Sequence, residues 1–303
     1  MIKFSRSMAV ILLLAAALIL SNTGQVEALG ETEVDIKSYF SRIMDSTPTQ
    51  LINEAQIWHG EEELSGTDYA DYPVLSAAAP FKAGRLGRND FTMIPAGNLG
   101  QEELEEIYIY DDNLIRGVLL NGEEIKDWLE HVGEHYNRID PESSGEQYPV
   151  DEDKPPYNHD IIEGIEYEYD IRQPAGERLT YLLYQGGEVD ADDEFIVMTN
   201  DHRVDGDFPH MEEENVVYSP DLTNLEVMKN YIQEFSPVSP DPTYNWGLQG
   251  FEAEGDLLYE SNPDGEDYVQ AMGIPGIEML ETTRRGYGVF SIDLKSLAEK
   301  HEK

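Results

Sequence analysis

Three basic side chains, Lys82, Arg85 and Arg88, fall within seven residues of one another in a chain where 62 acidic residues outnumber 20 basic ones. A guanidinium presents a planar fork of donors that fits the oxygens of a phosphate, so this stretch has the chemistry to hold an anionic ligand. The plainer reading is a solvated loop. The other chemistry-bearing groups are carboxylates, imidazoles and aromatic rings, and their spacing decides what each could do.

Three patterns invite a metal. In His131-Val-Gly-Glu134-His135 the two imidazoles, four residues apart, would share a helix face and reach one zinc. Gly133 interrupts that helix, however, and Trp128, Val132 and Tyr136 already mark its inward side, which favours a packing role. Asp201, Asp205, Gly206, Asp207 and Glu212 match five positions of a calcium-loop template, but Arg203 occupies a ligand position and would repel the cation. Asn158-His159-Asp160 resembles a fragment of a two-metal hydrolytic centre. Such a centre gathers Asp, His and Asn ligands from several loops, and the companion loops are missing from this sequence. No metal is assigned to any of the three.

The elements that must carry these residues are visible as periodicity. Ile165, Tyr167, Tyr169 and Ile171 alternate as in a half-buried strand, and Tyr181–Tyr184, Gly186-Gly187 and Phe195–Met198 read as a hairpin. Ile125, Trp128, Leu129, Val132 and Tyr136 recur at helical spacing. Leu225, Met228, Ile232 and Phe235 do so behind the capping box Thr223-x-x-Glu226. Strands and helices without strict alternation predict a mixed α/β or α+β fold. Acidic, proline-containing stretches at 141–156 and 236–242 predict surface loops, and no internal repeat is visible.

Lys3 and Arg6 precede an apolar run from Met8 to Leu20 and a polar stretch ending at Ala28, the pattern of a secretory leader over residues 1–28. The run is too short for a stable membrane anchor. A net charge of -42 implies strong self-repulsion, best tolerated where salt screens it, so an extracellular or periplasmic, high-salt destination is expected. The 18 Tyr, 9 Phe and 3 Trp argue for a folded chain, since a disordered acidic one would hold few rings. Such a surface should repel nucleic-acid polymers. There is no cysteine, hence no disulfide and no thiolate metal site.

Seven blocks in order resemble one family. They are Pro73–Arg85 with Ile94–Gly97, Tyr108–Tyr110, Asn121–Leu129, Tyr157–Tyr167, Thr199–Arg203, Asn245-Trp246 and Gly286–Leu294. The chain resembles the C-terminal domain of 2',3'-cyclic-nucleotide 2'-phosphodiesterase/3'-nucleotidases, within the 5'-nucleotidase superfamily. The resemblance implies a layered α/β/β/α fold and a nucleotide pocket that faces a metal-dependent phosphoesterase half. It divides the chain into a segment at 29–72 resembling the link between halves, a nucleotide-binding domain at 73–248 and a strand-rich extension at 249–303. The metal half is not expected in this chain, so the resemblance implies no cofactor of its own.

By the same resemblance, Arg85 contacts the substrate phosphate, with Arg88 and Lys82 as further charges. The base and ribose are taken by Tyr110, Asn113, His202, Asp207 and Phe208. Two departures stand out. Tyr110 lies three residues before Asn113 where the family has two, and His202 stands where the family places a second Tyr or Phe ring. An imidazole stacks more weakly, and Phe208 is the nearest replacement. The expectation is an exported nucleotide-binding, substrate-specificity domain linked to nucleotide catabolism, with no turnover of its own. The rival readings are a subunit of a split hydrolase that works with a separate metallophosphoesterase chain, and a vestigial structural or cation-binding surface protein.

Overall fold

The computed structural model describes residues 28–206 and 208–299. The expected leader, apart from Ala28, and the candidate residue Asp207 lie outside the described residues.

A five-stranded sheet organises the molecule. In spatial order it comprises Val216–Tyr218, Ile115–Asn121, Glu194–Asn200, Val74–Ala78 and Ile161–Glu163. Glu194–Asn200 and Val74–Ala78 run parallel, whereas the other pairs are antiparallel. Successive side chains of a strand point to opposite faces, and the Glu194–Asn200 strand is apolar on both. Ile196 and Met198 join a cluster with Leu51, Leu104, Met228 and Ile232, which belong to the helices Thr47–Leu64, Gln101–Ile107 and Asn224–Phe235. Phe195 and Val197 join a second cluster with Trp128, Leu129, Tyr167 and Trp246.

That second cluster is shared with a four-stranded sheet of Gly187–Glu188, Leu179–Tyr184, Glu166–Tyr169 and Trp246–Leu248. The stacking is thus helices, central sheet, apolar core and second sheet, a mixed α/β architecture. The C-terminal part adds a three-stranded sheet of Leu258–Ser261, Gly288–Ile292 and Ile277–Thr282, whose Tyr259 and Phe290 pack on Phe40. No helix among the described residues is long and apolar enough to cross a membrane.

Both helices expected from periodicity form. Asn224–Phe235 carries the capping box, with Thr223 and Glu226 bonding each other's main-chain N–H. Gly122–Gly133 opens on Asn121, whose side chain accepts from Glu124 N. Gly122 is required there, because a Cβ would sit 2.3 Å from the Asp190 carbonyl oxygen. Tyr136 lies beyond this helix but stays buried, its hydroxyl 3.2 Å from the Arg42 carbonyl.

One expectation is corrected. Leu179–Tyr184 does turn back through Gln185-Gly186, but onto Gly187–Glu188. The Phe195–Met198 stretch leaves for the central sheet, where it pairs with Ile115–Asn121 and Val74–Ala78. Being apolar on both faces it can be satisfied only inside a sheet covered on both sides, which the edge of a hairpin does not offer.

The segment at 29–72, expected to resemble an interdomain link, carries the 18-residue helix Thr47–Leu64, packed on the central sheet. Its buried side includes Asn53 and Gln56, and Ser76 of the strand Val74–Ala78 lies 2.8 Å from Asn53 Oδ1 and 2.6 Å from Gln56 Oε1.

Candidate functional site

The parallel strands Val74–Ala78 and Glu194–Asn200 end on the same side of the sheet, and the chain leaving each turns around a cavity of about 290 Å³. Ligands of open α/β sheets gather outside the carboxyl ends of parallel strands. Phe81, Arg85, Tyr110, Asn113, Tyr157, His202 and Arg203 line it.

Arg85 sits on a tight loop after the first of these strands. Gly84 has φ +88°, and a Cβ there would be 2.7 Å from the Phe91 ring, so the turn needs glycine. Gly84 N donates to Asp90 O, Leu86 N to Asp90 Oδ2, and the Tyr287 hydroxyl to Gly84 O, at 2.7, 2.8 and 2.8 Å. The loop is therefore closed on itself and tied to the C-terminal sheet. The Arg85 side chain is exposed. Among the described residues no carboxylate lies within ion-pair distance of it. Its guanidinium carbon instead lies 5.1 Å from the centre of the Tyr157 ring.

Tyr110 and Asn113 stand on the turn between the helix Gln101–Ile107 and the strand Ile115–Asn121. Asn113 O accepts from Asn224 N at 2.9 Å, and Asn224 Oδ1 accepts from Gln56 Nε2 at 2.6 Å, so three helices and a strand converge on this turn. The Tyr110 ring meets Phe81 edge to face at 5.4 Å and Tyr157 at 6.1 Å. Burial beside Tyr157 raises the Tyr110 hydroxyl above its ordinary pKa, opposed by the nearby Arg85 charge.

Arg203 forms the floor. Asn200 caps the short helix Asp201–Val204 by accepting from Arg203 N at 3.2 Å. The Arg203 guanidinium, 1% exposed, donates to both oxygens of Asp160 at 2.6–3.0 Å and to the Tyr157 carbonyl. Trp128 Nε1 donates to Asp160 Oδ2 at 3.1 Å. This ion pair is buried and multiply hydrogen-bonded, the condition under which a buried ion pair is tolerated.

Of the residues expected at a nucleotide pocket, the structure brings Arg85, Tyr110, Asn113 and His202 together. Lys82 is elsewhere, paired with Glu106 at 3.3 Å. The Arg88 side chain lies against Gly286. Phe208 does not line the cavity but packs over the Arg203 guanidinium at 4.6 Å and against His131 and Trp128. His202 is exposed, edge-on to Tyr157 at 6.5 Å.

Phe81, Tyr157 and Arg203 were not anticipated as lining residues. Phe81 and Tyr157 lie inside blocks of the family pattern, which give their presence but not their direction. Arg203 ends the block Thr199–Arg203 and also occupies a ligand position of the calcium template, but its partner Asp160 lies 43 residues away. Among the described residues no group of three or more His, Asp or Glu could hold a metal ion. His135 and His159 are both buried, their rings 5.5 Å apart. Burial is the main cause lowering both pKa values, that of His135 to about 3. The donor set at the cavity, with one imidazole, one amide and no carboxylate among its lining residues, does not fit a two-metal centre.

Comparison with known proteins gives the family. The profile of the family described as 5'-nucleotidase, C-terminal domain, matches residues 28–213. A trifunctional nucleotide phosphoesterase of Bacillus subtilis is 35% identical over 87% of the chain, which spans 19% of that protein. A 2',3'-cyclic-nucleotide 2'-phosphodiesterase/3'-nucleotidase of Yersinia enterocolitica is 31% identical over 89% of the chain, which spans 45% of that protein. The chain thus spans less than half the length of either relative. Among solved structures, a 5'-nucleotidase precursor from Thermus thermophilus is similar in fold, with a TM-score of 0.58 at 18% identity, over 79% of this chain and 42% of that one.

Proposed function

The chain belongs to the 5'-nucleotidase C-terminal domain family, and we propose that its cavity binds a nucleotide as the substrate-selecting part of an exported nucleotide phosphoesterase. The observation that carries this reading is the meeting of a guanidinium, unpaired among the described residues, with aromatic rings at the ends of two parallel strands. Arg85 donates charge-assisted hydrogen bonds to phosphate oxygens, an interaction worth roughly 1.5–3 kcal/mol. The base lies on the Tyr110 ring, with a stacking contribution of roughly 1–3 kcal/mol. Asn113 offers an amide to the sugar or the base edge.

Such a pocket binds and orients. Hydrolysis then requires metal ions held by a metallophosphoesterase region, in the same polypeptide or in a separate chain, and this domain is not expected to turn substrate over by itself. Export is supported by the leader pattern at 1–28, and a saline destination by the net charge of -42.

Calorimetric titration in molar salt with adenosine, adenosine 3'-phosphate and 2',3'-cyclic AMP tests the reading. Arg85→Ala should weaken the phosphorylated ligands by about 10-fold or more and spare adenosine. Tyr110→Ala should weaken all three alike, since stacking acts on the base in each. If no ligand binds the unaltered chain at any salt concentration, the pocket is vestigial and the proposal fails.

A further inference from the structure

The cavity presents an exposed guanidinium in an otherwise strongly acidic molecule. Arg85 is exposed, and among the described residues no carboxylate is paired with it. What stands over it is the Tyr157 ring, 5.1 Å from the guanidinium carbon. Tyr157 belongs to the short turn Pro156–Asn158, and its carbonyl oxygen accepts from Arg203, whose guanidinium is held on both oxygens of buried Asp160. The rings of Tyr110 and His202 stand nearly perpendicular to it, at 6.1 and 6.5 Å with interplanar angles of 86° and 76°. The residue is therefore anchored through its own carbonyl and flanked by two rings, while Arg85 comes from a different loop.

Resting on the phosphate reading of Arg85, we propose that Tyr157 is a positioning residue that holds the Arg85 guanidinium over the cavity, ready for the phosphate of an incoming nucleotide. The physical case rests on what a long, exposed arginine loses on binding. A free Arg side chain carries much rotamer entropy, which a ligand must offset when it orders the group. A carboxylate could order it beforehand, but would neutralise the charge and compete with phosphate for the same donors. An aromatic face attracts the cation through its quadrupole and leaves the N–H groups at the guanidinium rim available. Asp160 and Arg203 act one step further back, by fixing the turn that carries the ring.

The test is calorimetric titration of adenosine 3'-phosphate and adenosine, at one salt concentration, against the full chain and four variants: Tyr157→Phe, Tyr157→Leu, Arg85→Ala and the Tyr157→Leu/Arg85→Ala double. Tyr157→Phe, which keeps the ring, should bind both ligands within about twofold of the parent. Tyr157→Leu should weaken the nucleotide by about 3- to 10-fold and leave the nucleoside within about twofold. In the double variant, nucleotide affinity should be no lower than in Arg85→Ala alone, because the ring acts only through the guanidinium.

Equal weakening of nucleotide and nucleoside by Tyr157→Leu would make the ring a wall or a base platform and overturn the positioning role. So would losses that multiply in the double variant. If Arg85→Ala weakens the nucleotide but Tyr157→Leu does not, only the Tyr157 role falls. If Arg85→Ala is itself silent, the phosphate reading falls first. A Tyr157→Leu protein with a melting temperature well below that of Tyr157→Phe would be replaced by Tyr157→Met, which keeps volume without a ring and carries the same expectations.

Discussion

Arg203 and Arg85 line one cavity but are treated in opposite ways. Arg203 is buried, with the Asp160 carboxylate bonded along one edge of its fork, so it serves the fold, whereas Arg85 is exposed, meets the Tyr157 ring and has no carboxylate partner among the described residues. Asp45 shows a third treatment. It is 2% exposed, and it accepts from Ser46 N and Tyr244 N while Thr243 Oγ1 approaches both it and Glu163, at 3.5 and 2.9 Å. Desolvation, against those hydrogen bonds, pushes its carboxyl up to about 6, and desolvation with the Asp45 charge pushes Glu163 to about 7. Glu54 is raised as well, chiefly by burial.

A carboxyl raised in the folded state binds its proton more tightly there than in the unfolded chain. The stability it contributes is complete below its unfolded value near 4 and is lost as pH rises through 6 to 7. His135 and His159 work in the other direction, costing stability as pH falls below about 6.5 because only the unfolded chain readily takes up their protons. Comparing the parent with Asp45→Asn separates the two effects. Between pH 4 and 8 the parent should lose on the order of 2 kcal/mol relative to the variant, measured by denaturant unfolding. Parallel pH profiles for the two proteins would contradict this account of Asp45.

Among the elements, the helices Thr47–Leu64 and Asn224–Phe235 pack against each other and differ in how well the sequence announced them. Asn224–Phe235 has an apolar stripe and a capping box, both read directly from residue types. Replacing its cap, Thr223→Ala, should cost about 1 kcal/mol of stability, since Glu226 N loses its acceptor. A melting temperature unchanged in that variant would remove the cap from the account. Thr47–Leu64 gave no periodic signal because its buried side mixes Leu51, Ile52 and Ala55 with Thr49, Gln50, Asn53 and Gln56. Partners from other elements, notably Ser76 and Asn224, make burial of Asn53 and Gln56 tolerable. A hydropathy pattern cannot register partners that exist only after folding.

Over the whole molecule, 62 acidic residues against 20 basic ones leave most surface carboxylates without a cation to face. Exposed pairs such as Lys295–Glu252 and Arg285–Glu260 add little each, so relief of the net repulsion falls to dissolved salt. The melting temperature should therefore climb from dilute buffer to molar KCl, and a flat salt profile would remove the support for a saline destination. The direction follows from the sign and size of the net charge, whatever the preferred nucleotide.

Composition and residue order determined the acidic character, the mixed α/β class, the two capped helices, the family and four of the residues that line the cavity. These depend on composition, on periods of two or 3.6, or on short motifs and their order along the chain, and none of that needs to know which distant residues meet. Tertiary structure alone decided that Phe195–Met198 enters the central sheet, that Phe81, Tyr157 and Arg203 complete the cavity, and that Lys82, Arg88 and Phe208 stand outside it. In each case the deciding contact joins distant parts of the chain: Lys82 with Glu106, Arg88 with Gly286, Phe208 with Trp128, and Arg203 with Asp160. A side chain's direction is set by which partner satisfies its charge or covers its apolar surface, and here those partners meet only when the layers close.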